Sequence, residues 1–524
     1  MKLNYKRTIL VGFAFFLISA FWQSYDATIA LTLTNKFGMS QTWSGVIMAL
    51  DNILALFLLP LFGTLSDKHK GRSGRRTPFI RFGTLIAAIA LVGLSFIDNA
   101  QLQNIQKVSQ VDDPAALEII YDTQADKELL MPNGDSFVLR DTISREDFLN
   151  IRSTDDSKDV ADEDVSSKPY TNYVVPARQA YAADQTEANP TPMILFIGVL
   201  LVLLVGMGLF RSPAVALMPD VTIKPLRSKG NAIINLMGAA GGVLVLLLGM
   251  GFAFGISKPE HAMMSYTPYY AVIAGVMLLS LALFLWKVKE PEWVRQMQAD
   301  SIRYGIEETT GEDVPAQKRG LTRGEKLSLA FILLSVALWY MGYNAVTSKY
   351  SVYAPNVLQK DYSTTMLIAQ ACAIVTYLPA GMVASKIGRK KTILAGVAML
   401  AIAFGVAAFM DAGSPGWAMY LMFGLAGVAW ATINVNSFPM VVELCSGSDV
   451  GKYTGFYYTA SMAAQTVTPM LSGYLMDQEG LGMTVLFPYA AVFVGLSFVT
   501  MLVVRHGDNK IEAKTGLDAL AVED

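Results

Sequence analysis

Two cysteines in 524 residues, Cys372 and Cys445, leave no disulfide framework to staple a small secreted fold. Three histidines, His69, His261 and His506, are scattered and lack metal-ligand spacing. No Gly-rich loop ending in Gly-Lys-Ser/Thr is present, which weighs against ATP-driven chemistry. Charge is scarce too. Asp, Glu, Lys and Arg supply 16% of the chain, where soluble domains carry roughly 25%. An ordinary soluble fold is therefore excluded.

What the chain has in abundance is hydrocarbon: 53% of residues are hydrophobic and the mean hydropathy is +0.40. Twelve apolar runs are long enough to cross a bilayer, at roughly 8–33, 42–65, 77–97, 192–211, 230–255, 268–287, 326–349, 362–384, 391–410, 416–436, 453–475 and 484–504. The first, after Lys6 and Arg7, reads as a retained helix rather than a cleaved leader.

Charge placement orients the runs. With the N-terminus inside, 29 of the 41 Lys and Arg fall in cytoplasmic segments and four (Lys36, Lys258, Lys349 and Lys360) in short outer loops. That bias follows the positive-inside rule and rejects the inverted topology. The cations hug apolar helices in short loops, so nucleic acid is not an expected partner. The expected location is the plasma membrane, with both termini cytoplasmic.

The chain divides accordingly. Residues 1–97 and 192–287 form one six-helix half, and 326–504 the other. A polar cytoplasmic linker occupies 288–325 and a tail 505–524. Residues 98–191 form an outer insertion with 19 Asp or Glu against 8 Lys or Arg, a net of −11. Within it, Leu130 to Arg140 carries an Asn-Gly pair that predicts a hairpin. The insertion reads either as a partly disordered appendage or as a lid or sugar-capturing module.

The two halves echo each other. The loop 63–83, GTLSDKHKGRSGRRTPFIRFG, joins two apolar runs, and GMVASKIGRKK repeats it in shorter form at 381–391. Repeats of this kind are the mark of transporters built from paired bundles. The loop places Asp67 beside Arg75 and Arg76, and the copy keeps Arg389. Contacts among these residues are expected to latch the two bundles together. The stretch LSDKHKGRSGRRTPFI resembles the corresponding loop of the major facilitator superfamily. Within it, the resemblance is to the sucrose-transporter and solute carrier family 45 type, with glycoside–pentoside–hexuronide cation symporters as the neighbouring group. The resemblance implies an all-α membrane fold of twelve helices in two bundles, working as a carrier and not as an enzyme.

Asp26 lies within ISAFWQSYDATIALTL and Asp51, with Asn52, within SGVIMALDNILALFLLP. A carboxyl at bilayer depth defaults to a functional reading, and burial brings proton uptake and release within reach of working pH. Each lies roughly 12 Å below the outer end of its helix at 1.5 Å per residue, so they share a depth. The resemblance assigns such early-helix aspartates to the coupling cation, here a proton, with sodium as the alternative. No other cofactor is expected.

The corner from Phe210 to Asn235 places Arg211, Asp220 and Arg227 near the cytoplasmic surface, and Glu443 falls near the equivalent of Asp220 in the second half. These read as an inner gate. The resemblance points to helices 1, 4, 7 and 10 as the lining of the central path. They carry Trp22, Gln23, Tyr25, Tyr340, Tyr343, Asn344, Trp430, Asn434 and Asn436, and Asn52 sits beside Asp51. Amides and phenols bond hydroxyls, and aromatic faces pack on sugar C–H faces. The sequence thus reads as a monomeric, proton-coupled importer of a small glycoside. The alternatives are a drug or amphiphile exporter, sodium coupling, or a sensor whose insertion binds the ligand.

Overall fold

Inside a bilayer only intra-segment bonding satisfies the backbone, so the long apolar runs fold as helices. The computed structural model describes residues 3–153, 167–223, 226–251, 262–303, 321–442 and 450–506. The first half holds α1 (Tyr5–Leu31), α2 (Gln41–Lys68) and α3 (Thr77–Asn104). Then come the elements of the insertion: α4 (Pro114–Gln124), β1 (Glu128–Leu130), β2 (Ser136–Val138), α5 (Leu139–Thr142), α6 (Arg145–Leu149) and α7 (Val175–Ala188). The half closes with α8 (Thr191–Val221), α9 (Arg227–Gly251) and α10 (Thr267–Lys287).

A linker helix, α11 (Glu290–Arg303), precedes the second half. That half contains α12 (Arg323–Tyr353), α13 (Tyr362–Ile387), α14 (Arg389–Ala407), α15 (Gly416–Val442), α16 (Val450–Met476) and α17 (Leu486–Val503). Among the described residues, ten helices are long and apolar enough to cross a membrane. With α13 and α16, at 26 and 27 residues, they make the expected twelve. The protein is a multi-pass membrane protein.

Helix starts follow local chemistry. Ser40 accepts from the Trp43 amide to open α2, and Thr322 with Glu325 forms a capping box on α12. Neighbour relations repeat between the halves: α1 packs on α9 and α10 as α12 packs on α16 and α17, and α3 packs on α8 and α10 as α14 packs on α15 and α17. Each half is thus one bundle, and the bundles meet along α2 with α16, α9 with α13 and α1 with α12.

One end of the first bundle is held by a fully buried ion pair. Lys36 Nζ lies 2.7 Å from Asp98 Oδ1, donates to the Met264 carbonyl at 2.8 Å and stands 3.6 Å from the Tyr266 ring centroid. It ties α1 to α3 and to the entry of α10. Removing one partner strands a buried charge. Asp98→Asn should therefore lower stability by about 3–5 kcal/mol, seen as an earlier thermal unfolding transition in detergent.

The insertion, far from being a loose appendage in its described part, has its own apolar core. Ile105, Leu117, Ile120, Phe137, Leu139, Phe148, Val174 and Tyr181 are buried together. The expected hairpin is present, with Leu129 opposite Phe137. We call this unit the cap. On its surface, hydrogen bonds from Arg145 and Arg140 hold Asp122 and Asp126 below the usual carboxylate range, so they stay ionised. The opposite end of the molecule, with the 68–76 cations, is the basic face.

Candidate functional site

Between the bundles lies a cavity of about 480 Å³. Its aromatic wall comes from the second bundle. Tyr343 on α12 stacks on Trp430 of α15, ring centroids 3.6 Å apart and planes 17° apart. Tyr340, one helical turn before Tyr343, meets the same indole edge-on at 5.9 Å. Behind it Trp339, wholly buried, stacks on Tyr340 at 3.9 Å. Polar groups interrupt this wall: Gln370 and Tyr377 from α13, Asn434 from α15, and Tyr457 and Tyr458 from α16. The Tyr377 hydroxyl faces Asn434 and the Trp430 indole, and the Tyr457 hydroxyl is bonded to Ser437 at 2.9 Å. The first bundle contributes Ser19, Asn235, Leu236 and Ala239.

Beside the cavity the first bundle gathers its charges. Asp26 on α1 and Asp51 on α2 are close enough for their charges to interact. Asp51 accepts from the Asn52 amide at 2.7 Å. Arg211, on α8, interacts with the Asp51 charge and with Tyr458 across the bundle interface. Its guanidinium lies 5.6 Å from the Trp22 ring centroid. Asp26 in turn acts on Tyr343 and Tyr362 of the second bundle. The carboxyl pair and the arginine thus stand outside the cavity lining but within electrostatic reach of its Tyr343 and Tyr458.

Placement differs from expectation for several residues. Arg211 was expected at the cytoplasmic surface. Helix α8 instead runs ten residues further, to Val221, and carries Arg211 into the charged cluster. Gln23 donates to the Tyr362 hydroxyl at 3.1 Å. It faces Gln370 across Gly242, where a Cβ would sit 3.8 Å from one amide and 3.5 Å from the other. Asn436 is wholly buried and spends its amide on the Thr432 carbonyl at 2.8 Å, which is helix-internal bonding away from the cavity wall. Trp22, Tyr25 and Asn344 do not line the cavity. Trp22 Nε1, Tyr25 Oη and Asn344 Nδ2 are buried without a hydrogen-bond partner among the described residues.

The latch reading of the basic loop is also corrected. Asp220 receives Arg75 at 2.6 and 3.1 Å and Arg76 at 2.8 Å, and Arg76 also pairs with Asp67. Glu290 at the start of α11 accepts from the backbone amides of Arg75, Arg76 and Thr77 at 2.7–2.8 Å. All these partners belong to the first bundle or the linker, so the network braces one bundle instead of clasping two. Arg389 is buried at the start of α14. The Arg227 side chain and Glu443 lie outside the described residues.

Hydrogen bonds that do cross between the bundles lie toward the cap. Asp477 on the α16 side accepts from the Gln41 and Thr42 amides at 2.8 and 2.7 Å, and Lys349 Nζ donates to the Gln41 carbonyl at 2.7 Å. These bonds tie the two bundles together on the cap side of the cavity.

Gln370, Tyr377, Tyr362 and Glu290 carry weight that sequence reasoning missed. Gln370 gave one signal, as a lone amide in the middle of an apolar run.

Residues 361–519 match the model of the Major Facilitator Superfamily. The fold of the whole chain aligns with the inward-open xylose transporter XylE from E. coli, at 17% identity over 98% of each chain and a TM-score of 0.58. The fold is that of the major facilitator superfamily. A nucleoside transporter, NupG, shares the same major facilitator architecture, at 13% identity over 95% of this chain and all of the other, TM-score 0.56. In sequence, the chain is 26% identical over 145 residues to the MFS-type transporter ppzB of Metarhizium rileyi, covering 27% of this chain and 29% of that one. The counterpart in Metarhizium majus is also 26% identical, over 146 residues and 31% of its length. The matched region therefore spans about a third of these curated relatives.

Proposed function

We propose that the protein is a secondary active transporter that carries a small glycoside across the membrane with a proton, by alternating access between its two bundles. In this reading the basic face is cytoplasmic, the cap is outside, the protein works as a monomer in the plasma membrane, and uptake is inward. The observation that carries it is an aromatic, amide-bearing cavity at the bundle interface with the charges of Asp26, Asp51 and Arg211 within electrostatic reach of its wall. A xylose transporter, a nucleoside transporter and a peptide transporter share this fold, so the choice of substrate rests on the cavity. Stacked rings flanked by amides and phenols suit the two faces and the hydroxyl rim of a sugar ring.

With the cavity open to the outside, Asp26 takes up a proton. The sugar then packs on Trp430 and bonds Asn434 and Gln370. With Asp26 neutral, closing the bundles no longer buries an uncompensated charge beside Tyr343. After the bundles rock, the sugar leaves and Asp26 releases its proton inside. Asp51 stays within reach of the Arg211 charge throughout.

The test is a proton-flux screen over mono- and disaccharides with purified protein in proteoliposomes. A sugar that drives alkalinisation of the outer medium supports the reading. Flux that follows a sodium gradient and ignores pH would transfer the coupling to sodium. Sugar-independent efflux of amphiphiles would replace the substrate class.

A further inference from the structure

The cap touches both bundles, and the two attachments differ in kind. On the first bundle it is anchored through buried side chains. Gln179 on α7 donates to Asn35 at 2.9 Å, and Gln101 bonds both Thr186 of α7 at 2.9 Å and the Lys36 carbonyl at 2.7 Å. Lys36 and Asp98 lie directly beneath. The chain also enters and leaves the cap through α3 and α8, both helices of this bundle.

On the second bundle the contact is a small backbone dock at the hairpin, with one side-chain bond apart from it, from Gln359 beyond α12 to Thr171 of the cap at 3.5 Å. The hairpin tip accepts from the loop after α16, Gly480 N to the Gly134 carbonyl at 2.6 Å and Met483 N to the Pro132 carbonyl at 2.7 Å. Ser136 donates to Glu479 at 2.8 Å. Gly134 and Gly482 both have positive φ, +94° and +56°, and a Cβ on either would strike the other segment's backbone. The docking is thus a close fit between two glycine turns, with little apolar burial to hold it. It sits beside Asp477, which spans the two bundles at the Gln41–Thr42 turn.

We propose that the cap is a strap. It rides on the first bundle as a fixed part, and its hairpin docks on the 479–483 loop only while the cap side is shut. The strap adds to the Asp477 and Lys349 bonds that favour the closed outer face, and it must undock each time the cavity opens on that side. The inference rests on the alternating-access reading above, so its test reads accessibility and not sugar transport.

In a background with Cys372→Ser and Cys445→Ser, Thr347→Cys on the cavity wall reports access from the cap side to a membrane-impermeant maleimide. One added pair, Pro132→Cys with Met483→Cys, ties the hairpin to the second bundle when oxidised. A second pair, Asn35→Cys with Gln179→Cys, ties the cap to the first. On the cross-linked fraction, the 132–483 bridge should cut external labelling of position 347 at least tenfold, reversed by reductant, while the 35–179 bridge leaves it within twofold. Without any cross-link, Gly482→Val should spoil the dock and raise external labelling several-fold. Labelling undiminished by the 132–483 bridge, or lost equally with the 35–179 bridge, would overturn the strap. Labelling from the cap side absent even in the reduced proteins would remove the opening itself, and with it both readings.

Discussion

Asp26→Asn should reduce sugar accumulation to an inside-to-outside ratio of about one while leaving exchange of internal for external sugar within about twofold of the parent. A membrane potential of about 100 mV is worth about 2.3 kcal/mol per proton, which supports roughly fifty-fold accumulation when one proton accompanies one sugar. All of that gain depends on the carrier reorienting with both proton and sugar or with neither, and seldom with one alone. An amide at position 26 mimics the neutral carboxyl permanently, so the loaded carrier still moves, but a proton gradient no longer biases the direction. Asp26 is suited to this switch because its charge acts on Tyr343 and Tyr362 of the opposite bundle. Asp51 should behave differently. It lies within reach of the Arg211 charge and is bonded by Asn52, so Asp51→Asn removes the carboxylate facing a buried arginine and should depress exchange as well as accumulation. The measurement is labelled-sugar uptake with and without an imposed pH gradient, alongside counterflow at equal pH. Undiminished accumulation in Asp26→Asn would take Asp26 out of the coupling role.

How much of this was legible beforehand follows the physics of each signal. Helices in lipid announce themselves through unbroken apolarity, so the twelve runs and the repeated loop were readable without any partner in view. A carboxyl in such a run is conspicuous for the same reason, and Asp26 and Asp51 stood out individually. The nearness of Arg211 to Asp51 did not, because the charged end of the fourth run looked like a helix terminus. Only the structure shows α8 continuing through Pro213 and Pro219 to Val221. Partner choice was the general weakness. Arg75 and Arg76 had several acidic candidates at similar distance in sequence, and Glu290, which receives three consecutive amides, sits over two hundred residues away with nothing local to mark it. Cavity membership was similarly hidden. Asn434 and Asn436 are two apart on one helix, so they point to different sides. One lines the cavity and the other bonds its own helix. The cap misled in another way: its acidic composition suggested disorder, while its apolar residues, spaced through short helices, close a small core.

Trp430→Ala should weaken sugar binding roughly 30- to 100-fold, the largest effect expected of any cavity residue. Three contributions meet at this side chain. It provides the flat face that, with Tyr343, closes one side of the cavity, and an aromatic contact is worth about 0.5–1.5 kcal/mol beyond its area. Its apolar bulk shields the cavity from water, worth about 1 kcal/mol more for the part lost. Its indole also faces the Tyr377 hydroxyl beside Asn434, so truncation removes a neighbour of a hydroxyl-binding amide as well. Together these reach about 2–3 kcal/mol, where each 1.4 kcal/mol is tenfold. Trp430→Phe keeps a ring on Tyr343 and loses the indole N–H and part of the flat face, so it should fall between, at roughly fivefold. Equilibrium binding by titration, with thermal unfolding measured on the same samples, separates this from a packing defect. A binding role moves the dissociation constant with the unfolding temperature held. A packing role lowers the unfolding temperature in both variants and leaves the affinity of the surviving folded protein unchanged, which would strip Trp430 of its place in the site.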